Sequence, residues 1–326
     1  MNNYTSPQYI PAQRGVALLV ALLVVALATV LIAALLDRGE LVAARTRNEL
    51  RATQAEAYAQ GLEAYAARVL SQDQVNGGQS DTSGDIWAVP LPPTPVPGGE
   101  ITATMSDLDG RFNLNNLSPT NAQYAIWQVK FGLLLSALKL DPALATVVSD
   151  WMSSNNTNIQ TGDAYYLAQR VPYRRSRNIF FHVSELRLLK GVSGEVYAQL
   201  APYVSALPPG TLINVNTASV PVLMTLAPAA TPITQQMAQA LWQEGHANYR
   251  NLPADLDAIQ PGVSHVVDCG SQALSQCYDV HSSYFLARGQ ITLDGLPFVF
   301  YSLIERGRGP NNAGIRVIQR SRGADG

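Results

Sequence analysis

The sequence is short of charge. Aspartate, glutamate, lysine and arginine make up 14% of its 326 residues. The 22 basic and 24 acidic residues leave a formal net charge of -2, so no basic excess exists to neutralise a phosphate backbone. Nucleic acid is therefore disfavoured as the main partner. Cysteine is nearly missing: Cys269 and Cys277 are the two present. Their spacing does not fit a C-x-x-C redox or zinc motif, and no second pair exists to complete a zinc site. Taken alone, the pair reads as two buried thiols or as a disulfide closing a short loop. In an exported chain the disulfide is the expected state.

Catalytic signatures are missing as well. The histidines are His182, His246, His265 and His281, and none sits in an H-E-x-x-H motif. The "GVSG" at Gly191–Gly194 is one residue short of a G-x-S-x-G elbow. No P-loop occurs, and "GRGPNNAG" near the C-terminus reads as a flexible tail rather than a dinucleotide loop. Asp141, Asp150, Asp255 and Asp257 offer carboxylates, but as helix caps and surface acids they need no chemistry. The expectation is a protein that is not an enzyme.

What the sequence does have is one long apolar run. No residue from Val16 to Leu36 carries a charge. As helix, at ~1.5 Å per residue, that run reaches about 32 Å, enough to cross a bilayer. A secretory h-region is shorter and ends in a small-residue cleavage site. Here the run continues into "DRGELVAARTRNELRATQAEAYAQGLEAYAARVL", rich in good helix formers. Leu41, Ala44, Leu50, Ala57, Tyr58, Leu62, Tyr65 and Val69 recur at helical spacing. One helix is predicted from about Val16 to about Ser71, half in membrane and half outside, with Gly39 and Gly61 as single weak points. Arg38, Arg45, Arg47 and Arg51 follow the span, and the positive-inside rule taken alone would put the C-terminal part in the cytoplasm.

Beyond the helix the composition shifts. "SQDQVNGGQSDTSGD" and "VPLPPTPVPGG", between Ser71 and Gly99, read as exposed loop, with Pro90, Pro92, Pro93, Pro95 and Pro97 as a linker rather than a recognition motif. "EITATMSDLDGRFNLNNLSP" alternates around Asp109-Gly110. It predicts a hairpin with strands near Ile101–Ser106 and Arg111–Leu114. Its D-x-D-G fragment lacks the further ligands of an EF-hand loop. From Thr120 to about Asp257 the pattern is helical, with caps expected at Ser184 with Glu185 and at Thr234 with Gln236. "LINVNTASVPVLMTLAPAATPITQQMAQALW" resembles a helix–hairpin–helix unit. Its turn, "APAAT", has no glycine to bring backbone amides to a phosphate, so a structural use is expected. "SSYFLARGQITLDGLPFVFYSLIERG" predicts a hairpin turning at Asp294-Gly295, and "GIRVIQRS" one more strand.

The junction "QRGVALLV" resembles a type IV prepilin signal. In that class a membrane peptidase cuts after the glycine on the cytoplasmic side and leaves the apolar helix attached. Cleavage would fall between Gly15 and Val16, and this orientation overrides the charge rule. Pilins and most pseudopilins carry glutamate at mature position five; here that place is Val20. With "DLDGRFNLNNL", "SDWM", "GDAYYL", "NIFFHVSELRLLKGV", "INVNTAS" and "YFLARGQI" in order, nearly the whole chain resembles the minor pseudopilin K family of type II secretion (general secretion pathway protein K).

The resemblance implies an α+β, pilin-like fold: a long N-terminal helix packed on an antiparallel sheet, with a large inserted all-helical domain. The corresponding organisation is a prepilin leader at 1–15, the transmembrane part of the helix at 16–36, and periplasmic helix with the first strands at 37–118. The helical insert follows at 119–260, and C-terminal strands and tail at 261–326. It implies a processed, methylated, single-pass inner-membrane protein with its bulk in the periplasm, helping to export folded proteins across the outer membrane. The implied partners are minor pseudopilins I and J at the pseudopilus tip, the major pseudopilin, prepilin peptidase and secreted substrates. Lacking glutamate at Val20 fits a tip subunit, which has no subunit above it. The family can bind calcium where "DW.D.D…GaE…Y" is acid-rich. In "SDWMSSNNTNIQTGDAYY" Asp150 and Asp163 remain, while Ser153, Ser154, Asn155 and Asn156 stand where acids are expected. Asp150, Asn155 and Asp163 are the candidate ligands of a weaker calcium site, and a polar surface loop is the other reading. A minor pilin of a type IV pilus, a DNA-uptake receptor and a membrane-anchored periplasmic enzyme are the alternatives.

Overall fold

The computed structural model describes residues 14–76, 79–154, 159–228, 230–270, 272–307 and 314–323. The chain divides into two compact units, Met1–Ala57 and Tyr58–Gly326. Helix α1 spans Arg14–Asn76, five residues beyond the expected end at Ser71. "SQDQVN" holds no proline or glycine, so nothing stops the helix before Gly77. Gly39 and Gly61 do not break it. In the first unit, every residue of the apolar run from Val16 to Leu36 is exposed on the protein. A helix apolar on all sides and uncovered by protein is matched to lipid rather than water.

The second unit is built on a five-stranded antiparallel sheet. Numbered along the chain, its strands are β1 (Leu91–Val96), β2 (Gly99–Asp107), β7 (Tyr284–Leu293), β8 (Leu296–Arg306) and β9 (Ile315–Arg322), in the order β1-β2-β7-β8-β9. β7 and β8 turn at Asp294 (φ 48°) and Gly295 (φ 78°), the left-handed pair that a tight hairpin needs, as the sequence predicts. The C-terminal part of α1 packs on this sheet: Ala66 and Leu70 meet Trp87, Phe285 and Ile304, with the Trp87 and Phe285 rings edge-on at 5.1 Å. Gly289 in β7 permits the approach, since a Cβ there would stand 2.6 Å from Cδ1 of Leu62.

Two expectations are corrected here. "LPPTPV" is not loop but the edge strand β1, paired to β2 through Leu91↔Ala103 and Thr94↔Ile101. Proline lacks an N–H, which an edge strand can spare on its open side, and its rings deny that edge to another strand. The Asp109-Gly110 hairpin also does not form: β2 pairs with β1 and β7, and the chain leaves the sheet after Asp107. The aspartates explain why. Asp107 accepts bonds from the Asp109 N–H (2.7 Å), from the Ser282 hydroxyl (2.6 Å) and from the Thr217 hydroxyl, while Asp109 accepts from the Ser283 N–H (2.7 Å). They clasp the point where the chain leaves the sheet to the point where it returns. Burial pushes the Asp107 carboxyl up, against the bonds from Ser282 and Thr217.

Between β2 and β7 lies the insert, 108–283, wider than the expected 119–260 because the sheet resumes only at Tyr284. Its helices are α2 (Tyr124–Ala137), α3 (Leu144–Met152), α4 (Ile159–Leu167), α5 (Gly194–Leu200), α6 (Val220–Leu223), α7 (Gln235–Trp242) and α8 (Ala254–Ile259). One apolar core, including Phe112, Trp127, Phe131, Leu186, Leu241, Leu256 and Tyr278, runs through it. The insert is not purely helical. β3 (Phe112–Asn113) pairs in parallel with β4 (Val204–Ser205), and β5 (Ile213–Asn214) with β6 (Tyr278–Asp279).

The two halves of the insert repeat one design. "FNLNNLS" at 112–118 and "INVNTAS" at 213–219 each begin with one of those strands. In the first half the Asn115 side chain accepts from the Phe180 N–H (2.7 Å) and donates to the Phe180 carbonyl (2.9 Å). In the second, Asn216 does the same to Tyr249, at 2.7 and 3.0 Å. Glu185 then accepts from the N–H groups of Phe181 (2.6 Å) and His182 (3.0 Å), and Asp255 from those of Arg250 (2.6 Å) and Asn251 (2.8 Å). Each half closes on a left-handed glycine before Val-Ser, Gly191 (φ 82°) and Gly262 (φ 85°). The cap expected at Ser184 sits two residues earlier, because the His182 ring accepts from the Ser184 N–H (3.1 Å) and completes a box with Glu185. Thr234 caps α7 as expected, through the Met237 N–H.

Candidate assembly site

The candidate features are the exposed apolar part of α1 in the first unit and, within the second, the contacts that fix the C-terminal part of α1 to the sheet. Gly15 and Val16 lie in the first turn of α1; residues 1–13 of the leader fall outside the described residues. Val20 is 53% exposed on that helix and brings no carboxylate to it.

Charge fixes α1 to the sheet in two places. Glu63, nearly buried, accepts from the Ser302 hydroxyl (2.6 Å) and takes both arms of the Arg320 guanidinium at 2.7 Å. Burial alone would raise its carboxyl; the bonds from Arg320 and Ser302 outweigh that and hold it below its ordinary value. Further along, Arg306 of β8 reaches Asp73 of α1 (3.1 Å), Asp81 (2.5 Å) and the Ser282 carbonyl (2.8 Å), and lies 4.7 Å over the Phe285 ring. Asp85 joins this cluster, with carboxylate oxygens of Asp73, Asp81 and Asp85 within 4.8 Å of one another. Burial, then the neighbouring Asp85 and Asp81 charges, push the Asp73 carboxyl up to about 6 despite Arg306.

Cys269 and Cys277 are joined, with Cα atoms 5.8 Å apart. Beside them the buried Lys130 amine donates to the carbonyls of Thr225 and Asp268, both at 2.9 Å, and lies 5.0 Å from the Tyr278 ring centre. Burial pulls that amine down to about 8, and Asp268 partly offsets the fall. The cross-link thus holds Asp268 and Tyr278, which flank it in sequence, around one buried cation. Closing so short a loop restricts the unfolded chain by about 2–3 kcal/mol. Reduction, or replacement of both cysteines by serine, should lower stability by that amount, read as a melting-temperature difference with and without dithiothreitol. An unchanged melting temperature would show that the thiols pack equally well unjoined.

Of the candidate calcium ligands, Asp150 and Asp163 are engaged by arginines. Asp163 is buried, but its Oδ1 accepts from Nε of Arg175 (2.9 Å) and its Oδ2 from a terminal nitrogen of Arg177 (2.6 Å). Burial would raise its carboxyl, and the two guanidinium groups hold it lower than usual instead. The Asp150 side chain is exposed, and its carbonyl accepts from Arg175 (2.9 Å). Asn155 lies outside the described residues. Calcium asks for six to eight oxygens; among the described residues each oxygen of the one buried carboxylate accepts from a guanidinium group, and the Asp150 carboxylate is exposed. The other aspartates singled out in the sequence cap backbone: Asp141 the Ala143 N–H (2.9 Å) and Asp257 the Ser264 N–H (3.0 Å).

Arg306, Arg320, Arg175 and Arg177 were not legible as partners in the sequence. Each pairs with an acid from 12 to more than 200 residues away, and no local spacing encodes that. The run "YRRSR" at 173–177, following in sequence a stretch poor in acids, is the sequence signal that points toward Arg175 and Arg177.

A membrane-length apolar helix that continues as the spine of an antiparallel sheet, with a helical insert between two of its strands, defines a pilin-like subunit of the pseudopilin class. The model of the family described as "Type II secretion system (T2SS), protein K" matches residues 110–209, the first half of the insert. Type II secretion system protein K of Pseudomonas aeruginosa is 33% identical, over 96% of this chain and 94% of its own. That of Pectobacterium carotovorum is 34% identical, over 95% and 97%. The crystal structure of the GspK-GspI-GspJ complex from enterotoxigenic Escherichia coli contains a chain that this one matches with a TM-score of 0.71 and 26% identity, over 86% of this chain and 99% of that one. The chain belongs to the type II secretion system protein K family and is a minor pseudopilin of that system.

Proposed function

We propose that this protein is the first subunit of a periplasmic pseudopilus, joined there to I-type and J-type minor pseudopilins and acting by assembly rather than catalysis. In this reading the helix stays in the inner membrane until it packs into the filament, with the bulk of the chain in the periplasm. A peptidase removes the leader between Gly15 and Val16, and the mature subunit sits above the major pseudopilin. The observation that carries the reading is the match to nearly the full length of a chain solved in complex with two such partners. Val20 supports it physically. A carboxylate in that place would have to be paired inside the membrane at considerable cost, and a subunit with nothing above it has no use for the pair. The insert, 108–283, adds bulk beside the sheet that a repeating filament position would have to accommodate.

Co-expression of the full chain with the I- and J-type pseudopilins of the same system, followed by detergent extraction, tests the reading. A complex retaining all three is expected. A chain that migrates alone while I and J remain paired would overturn it. Val20→Glu is expected to reduce secretion of folded protein by burying an unpaired carboxylate at the top of the filament. Unchanged secretion would mean that the insert, not position 20, fixes its place.

A further inference from the structure

We propose that the guanidinium groups of Arg175 and Arg177 stand in this insert where a divalent cation would otherwise be needed, making its fold independent of calcium. The stretch that precedes α4 carries no acid: Ser153, Ser154, Asn155 and Asn156 are all neutral. On either side of it stand the buried carboxylate of Asp163 and the main-chain carbonyl of Asp150, whose own carboxylate is exposed. A single side chain holds both, since Arg175 donates through Nε to Asp163 at 2.9 Å and through a terminal nitrogen to the Asp150 carbonyl at 2.9 Å. Bridging α3 to α4 through their oxygens is the structural work a metal ion does. A planar guanidinium does it with directed N–H groups and a permanent charge.

Arg177 completes the arrangement. Its side chain bonds the second oxygen of Asp163 at 2.6 Å, and its N–H donates to the Trp151 carbonyl at 2.9 Å. To do both it holds a left-handed backbone, φ 54°, which a side chain with a Cβ adopts at a cost. The bonds it makes keep that conformation in place. Two fixed positive charges facing one buried negative charge leave a net repulsion for a dication. The Trp151 ring packs edge-on against Tyr166 (5.5 Å) and Tyr173 (6.5 Å), so the bridge also sets the aromatic cluster under α3 and α4.

The test is thermal unfolding of the full chain in detergent, in chelator and in millimolar calcium, with calcium titrated calorimetrically. Melting temperatures in the two conditions should agree within about 1 °C, with no binding isotherm. The Arg175→Gln/Arg177→Gln variant should melt about 5–10 °C lower in chelator, because it leaves Asp163 buried without a partner. If the double variant does not fold, Arg177→Gln alone, with its half-exposed side chain, should melt a few degrees lower. A stoichiometric calcium isotherm with a raised melting temperature in the unaltered protein would overturn the proposal. So would variants as stable as the parent.

Discussion

Arg306→Ala is expected to lower the stability of the sheet domain by about 3–5 kcal/mol at neutral pH. The guanidinium is 6% exposed and stands against Asp73 and Asp81, which are equally buried, with Asp85 beside them. Truncation leaves three carboxylates facing one another without a cation, and it strips the Ser282 carbonyl and the Phe285 ring of their partner. The effect should depend on pH, with a sign set by Asp73. Its carboxyl is raised to about 6 in the folded protein from 3.8, so the folded state holds a proton that the unfolded chain has released. The contribution of this group to stability is therefore fully present below about 4 and is lost as pH rises through about 6. The loss caused by Arg306→Ala should be smaller at pH 5, where Asp73 is largely protonated, than at pH 7.5. Asp73→Asn should flatten the fall in melting temperature between these values. Melting curves of parent, Arg306→Ala and Asp73→Asn across that range check all three. A pH-independent loss would mean the Phe285 contact, not the acid cluster, makes Arg306 matter.

The cluster shows which part of this protein a sequence discloses. Patterns local to one element were legible: the apolar run of α1, the Asp294-Gly295 hairpin, β9, and the helices α2, α3, α5, α6 and α7 follow from periodicity or turn chemistry within a few residues, whereas α4 lies in a stretch that reads as a polar loop. Patterns that depend on a distant partner were not. "LPPTPV" reads as loop because proline opposes strand in a sheet interior; only its place at an edge, beside β2, makes it a strand. "DLDGRF" reads as a hairpin because Asp-Gly favours a turn, yet Asp107 and Asp109 are spent on Ser282 and Ser283, more than 170 residues on. The insert begins at that clasp, which is why its limits lie outside the run of helical periodicity.

The site divides along the same line. The anchor could be named from the chain alone because a bilayer is a uniform partner, and one apolar run is enough to meet it; Val20 was singled out by the prepilin resemblance. Asp163 was found by position within a motif, but Arg175 and Arg177, which hold its two oxygens, were not. A carboxylate in sequence is equally a ligand for a metal and for a guanidinium; geometry separates the two.

Asn115→Ala and Asn216→Ala are expected to destabilise the insert by about 3–5 kcal/mol each, and by similar amounts. Both side chains are about 1% exposed. Asn115 satisfies the buried Phe180 N–H and carbonyl and also the Leu207 carbonyl (2.9 Å). Asn216 satisfies the same groups of Tyr249 and reaches the Val280 carbonyl at 3.5 Å. Asn115→Ala leaves a buried N–H and two carbonyls without that partner, at about 1–3 kcal/mol for each group left unsatisfied. Asn216→Ala leaves the N–H and carbonyl of Tyr249, while the Val280 carbonyl keeps its bond from the Asp81 N–H (2.8 Å), so it should be the milder of the two. Aspartate separates hydrogen bonding from packing. Its carboxylate still accepts from the N–H but faces the carbonyls with a charge instead of a donor. Asn115→Asp should therefore recover stability as pH falls and the new acid protonates, while Asn115→Ala should not. The two alanine variants share no partner, so their combined loss should be additive within about 0.5 kcal/mol if the halves are independent repeats. Melting curves of the parent, the two alanine variants, their combination and Asn115→Asp decide the matter. A silent substitution at either position would show that the repetition is one of sequence and backbone only, with the second asparagine no longer holding its half together.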